Sequence, residues 1–133
     1  MLTGRRTYDI ANGWGGTHPV NGISVVILTH NPPADVPQGK SKLVFVTDGI
    51  ESAVAKPKAL AKDKNVGIGG ASLAQQALRA GLVDELFLHI APILLGDGVR
   101  LFEHLGDQAI SLRKINSLDA EDMSRLRFEV LRP

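Results

Sequence analysis

The sequence predicts an α/β fold built on a mixed sheet. Three observations carry that prediction. Short β-branched runs, ISVVILT at 23–29 and KLVFVT at 42–47, have the length and composition of buried strands. Helical patterns alternate with them. The chain then closes on two strand-like runs without an intervening helix, which reads as an antiparallel pair. With 133 residues, 44% of them apolar, the chain suits one domain with a real core.

The elements follow in order. Thr3 is suited to cap a helix over residues 4–11. NGWGGTHP is a loop by its Gly, Asn and Pro content. The strand 23–29 follows, then the proline-rich loop HNPPADVPQGK and the strand 42–47. Asp48–Gly49 turns into the helical stretch IESAVAKPKALAK, with Ile50, Val54, Leu60 and Ala61 as its inner stripe. Pro57 sits inside that stretch. An internal proline costs about 3 kcal/mol, so a break is expected there. NVGI at 65–68 reads as a short third strand. A helix runs from Ser72 to Ala80, with Leu73, Ala74, Ala77 and Leu78 on one face and Gly81 placed to end it. DELFLHIAPIL at 84–94 is the fourth strand, LGDG turns, and VRLFEHL reads as a helical turn. AISLRKI (109–115) and SRLRFEVL (124–131) form the closing pair. In the last run Leu126, Phe128 and Val130 alternate with Arg125, Arg127 and Glu129, so one face is expected to be wet. There is no internal repeat, low-complexity tract or domain boundary.

Charge excludes several function classes. Fifteen basic residues against 14 acidic leave a formal net charge of +1, which argues against nucleic acid or a membrane surface as partner. There is no cysteine, so disulfides and thiolate metal sites are excluded. No apolar run approaches bilayer-spanning length, and MLTGRRTYDI lacks the apolar core of a signal peptide. A cytoplasmic protein is expected. His18, His30, His89 and His104 show no ligand spacing, so no metal site is assigned, and His89 reads as a packed or hydrogen-bonded structural residue. Asp97 sits in a glycine turn, where aspartate is common for conformational reasons. No Ser–His–Asp arrangement stands out.

Three stretches could carry chemistry. In VGIGGASLAQQAL (66–78) a strand leads through glycines into a helix start. Free N–H groups and the helix dipole there suit an anion, and glycine lets a phosphate approach the backbone. The spacing matches no dinucleotide or Walker motif, and a tight turn that merely packs a helix on a sheet accounts for the same residues. In TGRRT (3–7) two arginines in a first helical turn oppose the dipole, a conflict that a bound anion would remove. A solvated basic turn is the plainer reading. Thr29, His30 and Asn31 end the first long strand, and ligands of open α/β sheets collect outside strand carboxyl ends.

Together these pieces are more specific. GGASLAQQALRAGLVDELFLHIAPILLGDGVRLFEHL, with GRRTY at 4–8 and ILTHN at 27–31, resembles the C-terminal reductase domain of bacterial riboflavin biosynthesis proteins, in the dihydrofolate-reductase-like superfamily. The likeness is strongest over 66–105 and extends in pattern over nearly the whole chain, 1–133. It implies a mixed, mostly parallel central sheet flanked by helices with a C-terminal antiparallel hairpin, NADPH as hydride donor and often a homodimer. Carried over by position, Gly4, Arg5, Arg6 and Thr7 match the family's GR-x-T helix start at the cofactor phosphates. Thr29 and His30 match the strand end near the adenosine ribose and its 2′-phosphate. Gly69, Gly70, Ala71 and Ser72 match the glycine turn under the pyrophosphate and nicotinamide ribose.

Two departures from that family shape the functional expectation. The GR-x-T helix start has no recognisable strand and loop before it, so the chain reads as lacking the family's first strand: the true start lies upstream, the chain is truncated, or it is a degenerate member. Exposure of a sheet edge is expected from such a loss, with lower stability or compensation by a partner chain. Riboflavin-pathway reductases also carry an acidic residue where this chain has Ile68, and an isoleucine neither hydrogen-bonds a polar pyrimidine nor moves a proton. No catalytic proton donor is assigned. The leading reading is an NADPH-dependent reductase-like domain acting on a small heteroaromatic or carbonyl-type substrate. Its rivals are a catalytically impaired dinucleotide-binding or dimerising remnant, and a plain phosphate-ester binder.

Overall fold

The computed structural model describes residues 1–120 and 122–133. Its elements are β1 (Leu2–Gly4), α1 (Arg5–Ile10), a 3-10 stretch (Asn12–Gly16), β2 (Val25–Leu28), β3 (Leu43–Val46), α2 (Ile50–Ala61), β4 (Ile68–Gly69), α3 (Ala71–Arg79), β5 (Glu85–Ile90), β6 (Leu112–Ala120) and β7 (Met123–Val130). The α/β class holds, and the strands divide between two hydrogen-bonded sheets. One is parallel, in the order β3-β2-β1-β4, and the other antiparallel, in the order β5-β7-β6.

Burial on both faces explains the continuous apolar runs of β2 and β3. Val26 and Val46 pack with Leu2 against Ala53 and Val54 of α2 and Leu73 of α3. Val25 and Ile27 point the other way, onto Tyr8 of α1, with Trp14, Leu43 and Phe45 around them. Tyr8 meets Phe45 edge-on, with ring centroids 5.3 Å apart. Leu2, Val25, Val26 and Ile27 are fully buried, and each contributes about 1.5–3 kcal/mol by leaving water. A third cluster, Ala77, Leu78 and Val83 with Leu86, Ile110 and Val130, fastens α3 to the antiparallel sheet.

Several expectations are corrected. Thr3 does not cap a helix. It lies in β1, hydrogen-bonded between β2 and β4, and Gly4 takes the capping position. A strand therefore does precede the GRRT helix, built from only three residues that the apolar pattern was too short to reveal. Pro57 does not break α2, which runs unbroken from Ile50 to Ala61. The proline ring is buried, and that packing offsets the hydrogen bond its missing N–H forfeits. VRLFEHL is not helical. The carbonyls of Arg100 and Leu101 instead accept from Gln75 Nε2, at 3.0 and 3.1 Å. A short isolated turn is marginal without such competition.

Strand limits also move. β4 is confined to residues 68–69, and β5 ends at Ile90, beyond which Ile93 and Leu94 stand exposed without a strand partner. β6 spans 112–120, with a register shift between Lys114 and Asn116 where it pairs β7. The wet face of β7 carries Arg127, which pairs across the sheet with Glu85 at 2.6 Å.

Candidate functional site

All four strands of the parallel sheet point the same way, so their carboxyl ends meet at one edge. β1 delivers Gly4 and the start of α1. β2 delivers Thr29, His30 and Asn31. β3 delivers Thr47 and Gly49, where α2 begins, and β4 delivers Gly69 and Gly70, where α3 begins. The chain passes from β1 to β2 on one side, then α2 carries it back past β1 to β4. Strand order reverses at β1, the position where open sheets form ligand crevices.

A cleft of about 860 Å³ occupies that position. It is lined by Gly4, Arg5, Arg6, Thr7, Thr29, His30, Gly69, Gly70, Ala71 and Ser72, so the structure gathers every residue singled out in the sequence as cofactor-binding. Asn31 joins them. Thr47, Gly49, Leu28, Ile10, Leu73, Gln76 and Val99 complete the wall and were not anticipated. Two signals were available for some of these. Thr-Asp-Gly at 47–49 repeats the pattern of strand, glycine and helix seen at 68–71, and Gln76 lies one helical turn beyond Ser72.

The local geometry favours an anion. Two helices of useful length, α2 and α3, start at this wall, each from a glycine with positive φ. Gly70 has φ +98°, which side-chain-bearing residues rarely adopt, and a Cβ there would lie 3.6 Å from Thr7 Oγ1, between the starts of α1 and α3. At Gly4 a Cβ would meet nothing within 4 Å, so the bare backbone faces open cleft. The charged lining residues are Arg5 and Arg6, and no carboxylate lines the cleft among the described residues.

The two arginines differ. Arg5 Nε donates to Asp9 Oδ1 at 2.7 Å, and a terminal nitrogen donates to the Asn31 carbonyl. Arg5 therefore ties α1 to the turn after β2. Arg6 is exposed and has no hydrogen-bond or ion-pair partner among the described residues. Thr29 is buried, and its Oγ1 accepts from the Asn31 N–H at 3.3 Å and donates to the Asn31 carbonyl at 3.2 Å. That small turn leaves His30 exposed at the mouth of the cleft.

The remaining candidates fall elsewhere. Ile68 lies in β4, half-buried against the core, and does not line the cleft. His18 is buried beside Trp14, with its Nδ1 accepting from the Val20 N–H at 3.2 Å. Burial, and secondarily the charge of the amino terminus, hold its imidazole below the ordinary histidine pKa. His89 sits exposed in β5, edge-on to Phe87, and His104 lies 3.8 Å from Glu103. Asp97 Oδ1 accepts from the Gly98 N–H at 2.7 Å, a turn role. Among the described residues no cluster of His, Cys, Asp and Glu is built to hold a metal, and no helix is long and apolar enough to cross a membrane.

Fold and cleft together define an α/β domain with an open cleft at the carboxyl edge of a parallel sheet. The chain belongs to the RibD C-terminal domain family, whose model matches residues 2–123. It is 38% identical over 132 residues to YyaP, an uncharacterised protein of Bacillus subtilis, covering 88% of this chain and 65% of YyaP. A protein of Shewanella sp. PV-4 superposes with a TM-score of 0.80 at 27% identity, over 98% of this chain and 73% of that one. A Thermotoga maritima diaminohydroxyphosphoribosylaminopyrimidine deaminase/5-amino-6-(5-phosphoribosylamino)uracil reductase shares the fold, with a TM-score of 0.66 at 12% identity over 98% of this chain and 44% of that one. The chain spans 60% to 65% of the length of the curated relatives it matches.

Proposed function

We propose that the chain is an NADPH-dependent reductase domain that passes a hydride to a polarised C=N or C=O carbon of a small pyrimidine- or pterin-type heterocycle. The observation that carries this reading is the convergence of residues 4–7, 29–30 and 69–72 on one cleft. Its volume of about 860 Å³ falls in the range of small-molecule and cofactor sites, roughly 300–1,000 Å³. The residues present fit a dinucleotide. Gly69, Gly70 and the start of α3 would hold the pyrophosphate against bare amides. Thr29 and His30 would lie at the adenosine ribose. Arg6, without a hydrogen-bond or ion-pair partner among the described residues, would meet the 2′-phosphate, while Arg5 holds Asn31 and so fixes the turn that presents His30. The bound cofactor supplies the hydride; the protein contributes placement and charge complementarity. The substrate class is carried over from the family and from the name of the Thermotoga maritima protein of like fold.

A fluorescence titration of the chain with NADPH and with NADH tests this. NADPH is expected to bind at least tenfold more tightly. Equal affinities, or no binding of either, would remove the proposal. One observation favours a second reading, a dinucleotide binder without turnover: no carboxylate lines the cleft among the described residues, and Ile68 offers no proton. NADPH binding with no oxidation across aminouracil, pterin and simple carbonyl substrates would select that reading. Cytoplasmic residence and a homodimer belong to the same proposal. The dimer would cover the exposed Ile93, Leu94 and Leu95, and sedimentation at a single-chain mass would exclude it.

A further inference from the structure

Val99 reaches the cleft from far outside the parallel sheet. It lies in the connection that leaves β5 at Ile90 and enters β6 at Leu112, without strand or helix on the way. Connections longer than about 15 residues with no secondary structure are uncommon, and they are mostly functional loops or linkers. Leu105 and Ile110 seat the second half of this one against Ala77, Leu78 and Val83. The first half has little to hold it. Leu94, Leu95, Val99, Leu101 and Phe102 are all exposed. Among the described residues, the hydrogen bonds that tie residues 94–104 to the rest of the molecule both come from one side chain, Gln75.

Gln75 breaks the apolar pattern of its helix. It is buried on α3 with Leu73, Ala77 and Leu78. A polar group in that setting is costly unless it is paired. Its Nε2 donates to the Arg100 carbonyl at 3.0 Å and to the Leu101 carbonyl at 3.1 Å. A side-chain amide has two N–H donors, and both are used. Gln75 also lies about one helical turn after Ser72 and beside Gln76, and those two residues line the cleft with Val99. Pinning the carbonyl of residue 100 at this level sets residue 99 beside the start of α3. Gly96 and Gly106, at φ +78° and +96°, flank the pinned segment. Glycine takes such angles without strain, so each can serve as a hinge.

We propose that residues 97–102 form a strap that closes the cleft on a bound dinucleotide, and that Gln75 is the positioning residue that holds the strap at the start of α3. The strap's ligand is the dinucleotide of the proposed function, and its role rests on that binding. Val99 is apolar and 80% exposed. Laid over a pyrophosphate at the amides of α3, it loses that exposure and displaces water from the charges. Attraction between phosphate and backbone N–H groups strengthens as the local dielectric falls. The valine carries no charge, so the strap serves NADPH and NADH alike and leaves discrimination between them to Arg6.

Trypsin reads the strap directly, because Arg100 is exposed and cleavage after it tracks local opening. The rate is followed by mass as the appearance of fragment 101–133. Gln75→Leu keeps the bulk and removes the donors, and cleavage of this variant is expected to rise at least fivefold over wild type. Saturating NADPH is expected to slow cleavage of the wild-type chain at least tenfold. In fluorescence titrations Gln75→Leu is expected to weaken NADPH and NADH by one common factor, about fivefold. Gln75→Arg restores N–H donors and is expected to recover most of that loss. Val99→Asp changes an exposed side chain, so its test does not depend on how Gln75→Leu folds. It is expected to weaken NADPH at least tenfold with Tm unchanged. Three results would overturn the strap alone: NADPH binds without slowing cleavage, Val99→Asp binds as wild type, or Gln75→Leu is cut at the wild-type rate. A wild-type chain that binds neither dinucleotide would remove the proposed function and the strap with it.

Discussion

The parallel and antiparallel sheets differ in composition and in cover. In the parallel sheet Leu2, Val25, Val26 and Ile27 are fully buried between helices. In β6 every residue is exposed, including Leu112, Ile115 and Leu118. Hydropathy foreshadows the difference, since β2 and β3 are unbroken apolar runs while β6 mixes apolar with polar and charged residues. Cover completes it: α1 lies on one face of the parallel sheet and α2 with α3 on the other, whereas α3 meets the antiparallel sheet through one cluster. The first region draws its stability from its own packing, and the second leaves much of its surface exposed.

The sharpest way to break this contrast is a pair of truncations. Ile27→Ala is expected to cost about 2–5 kcal/mol. Leu118→Ala, on β6, is expected to stay within about 0.5 kcal/mol in the isolated chain. Urea unfolding of both variants decides, and similar losses would mean that β6 is as tightly packed as β2.

Next in size is the cleft. Gly70→Val places a branched side chain at a φ of +98° where the proposed phosphates lie. Cofactor affinity is expected to fall at least a hundredfold, with secondary structure by circular dichroism retained. Unchanged affinity would move the pyrophosphate elsewhere.

The two arginines give a finer comparison. Arg6→Ala is expected to weaken NADPH about tenfold, roughly 1.4 kcal/mol, and to leave NADH nearly unchanged. Arg5→Ala removes the bonds to Asp9 and Asn31 and is expected to weaken both cofactors alike. Identical profiles for the two variants would contradict the division of roles.

The smallest effect is in pH dependence. The folded imidazole of His18 titrates below its ordinary value, so the unfolded chain binds its proton first as pH falls. Stability from this site is complete above about 6.5 and declines as pH falls through the lower folded value. The urea midpoint is expected to drop between pH 7.5 and pH 5.5, and less so in His18→Gln. An equal drop in both would place the sensitivity in other groups.

Much of this molecule was legible before its coordinates. Long β-branched runs, a glycine turn before a small-residue helix and paired arginines at a helix start are local signals, because they arise from backbone sterics and hydrogen-bonding needs within a few residues. They located β2, β3, α3 and the residues of the cleft. Where local signals were short or in competition, they failed. Leu2–Gly4 is too brief to show a period and is a strand because β2 and β4 supply its partners. Pro57 carries a local penalty that burial outweighs. VRLFEHL has a helical composition, yet Gln75, more than twenty residues away in the chain, claims its carbonyls.

The site divides the same way. Sequence determined that this protein has bare amides, two cations and a strand-end hydroxyl available, since those are properties of residue types in local settings. Tertiary structure alone decided that they share one cleft, that Thr47 and Gly49 join them, and that Arg5 is spent on Asn31 while Arg6 has no partner among the described residues. Convergence depends on strand order and on which carbonyl lies within reach, and both are set by contacts between segments that the chain keeps far apart.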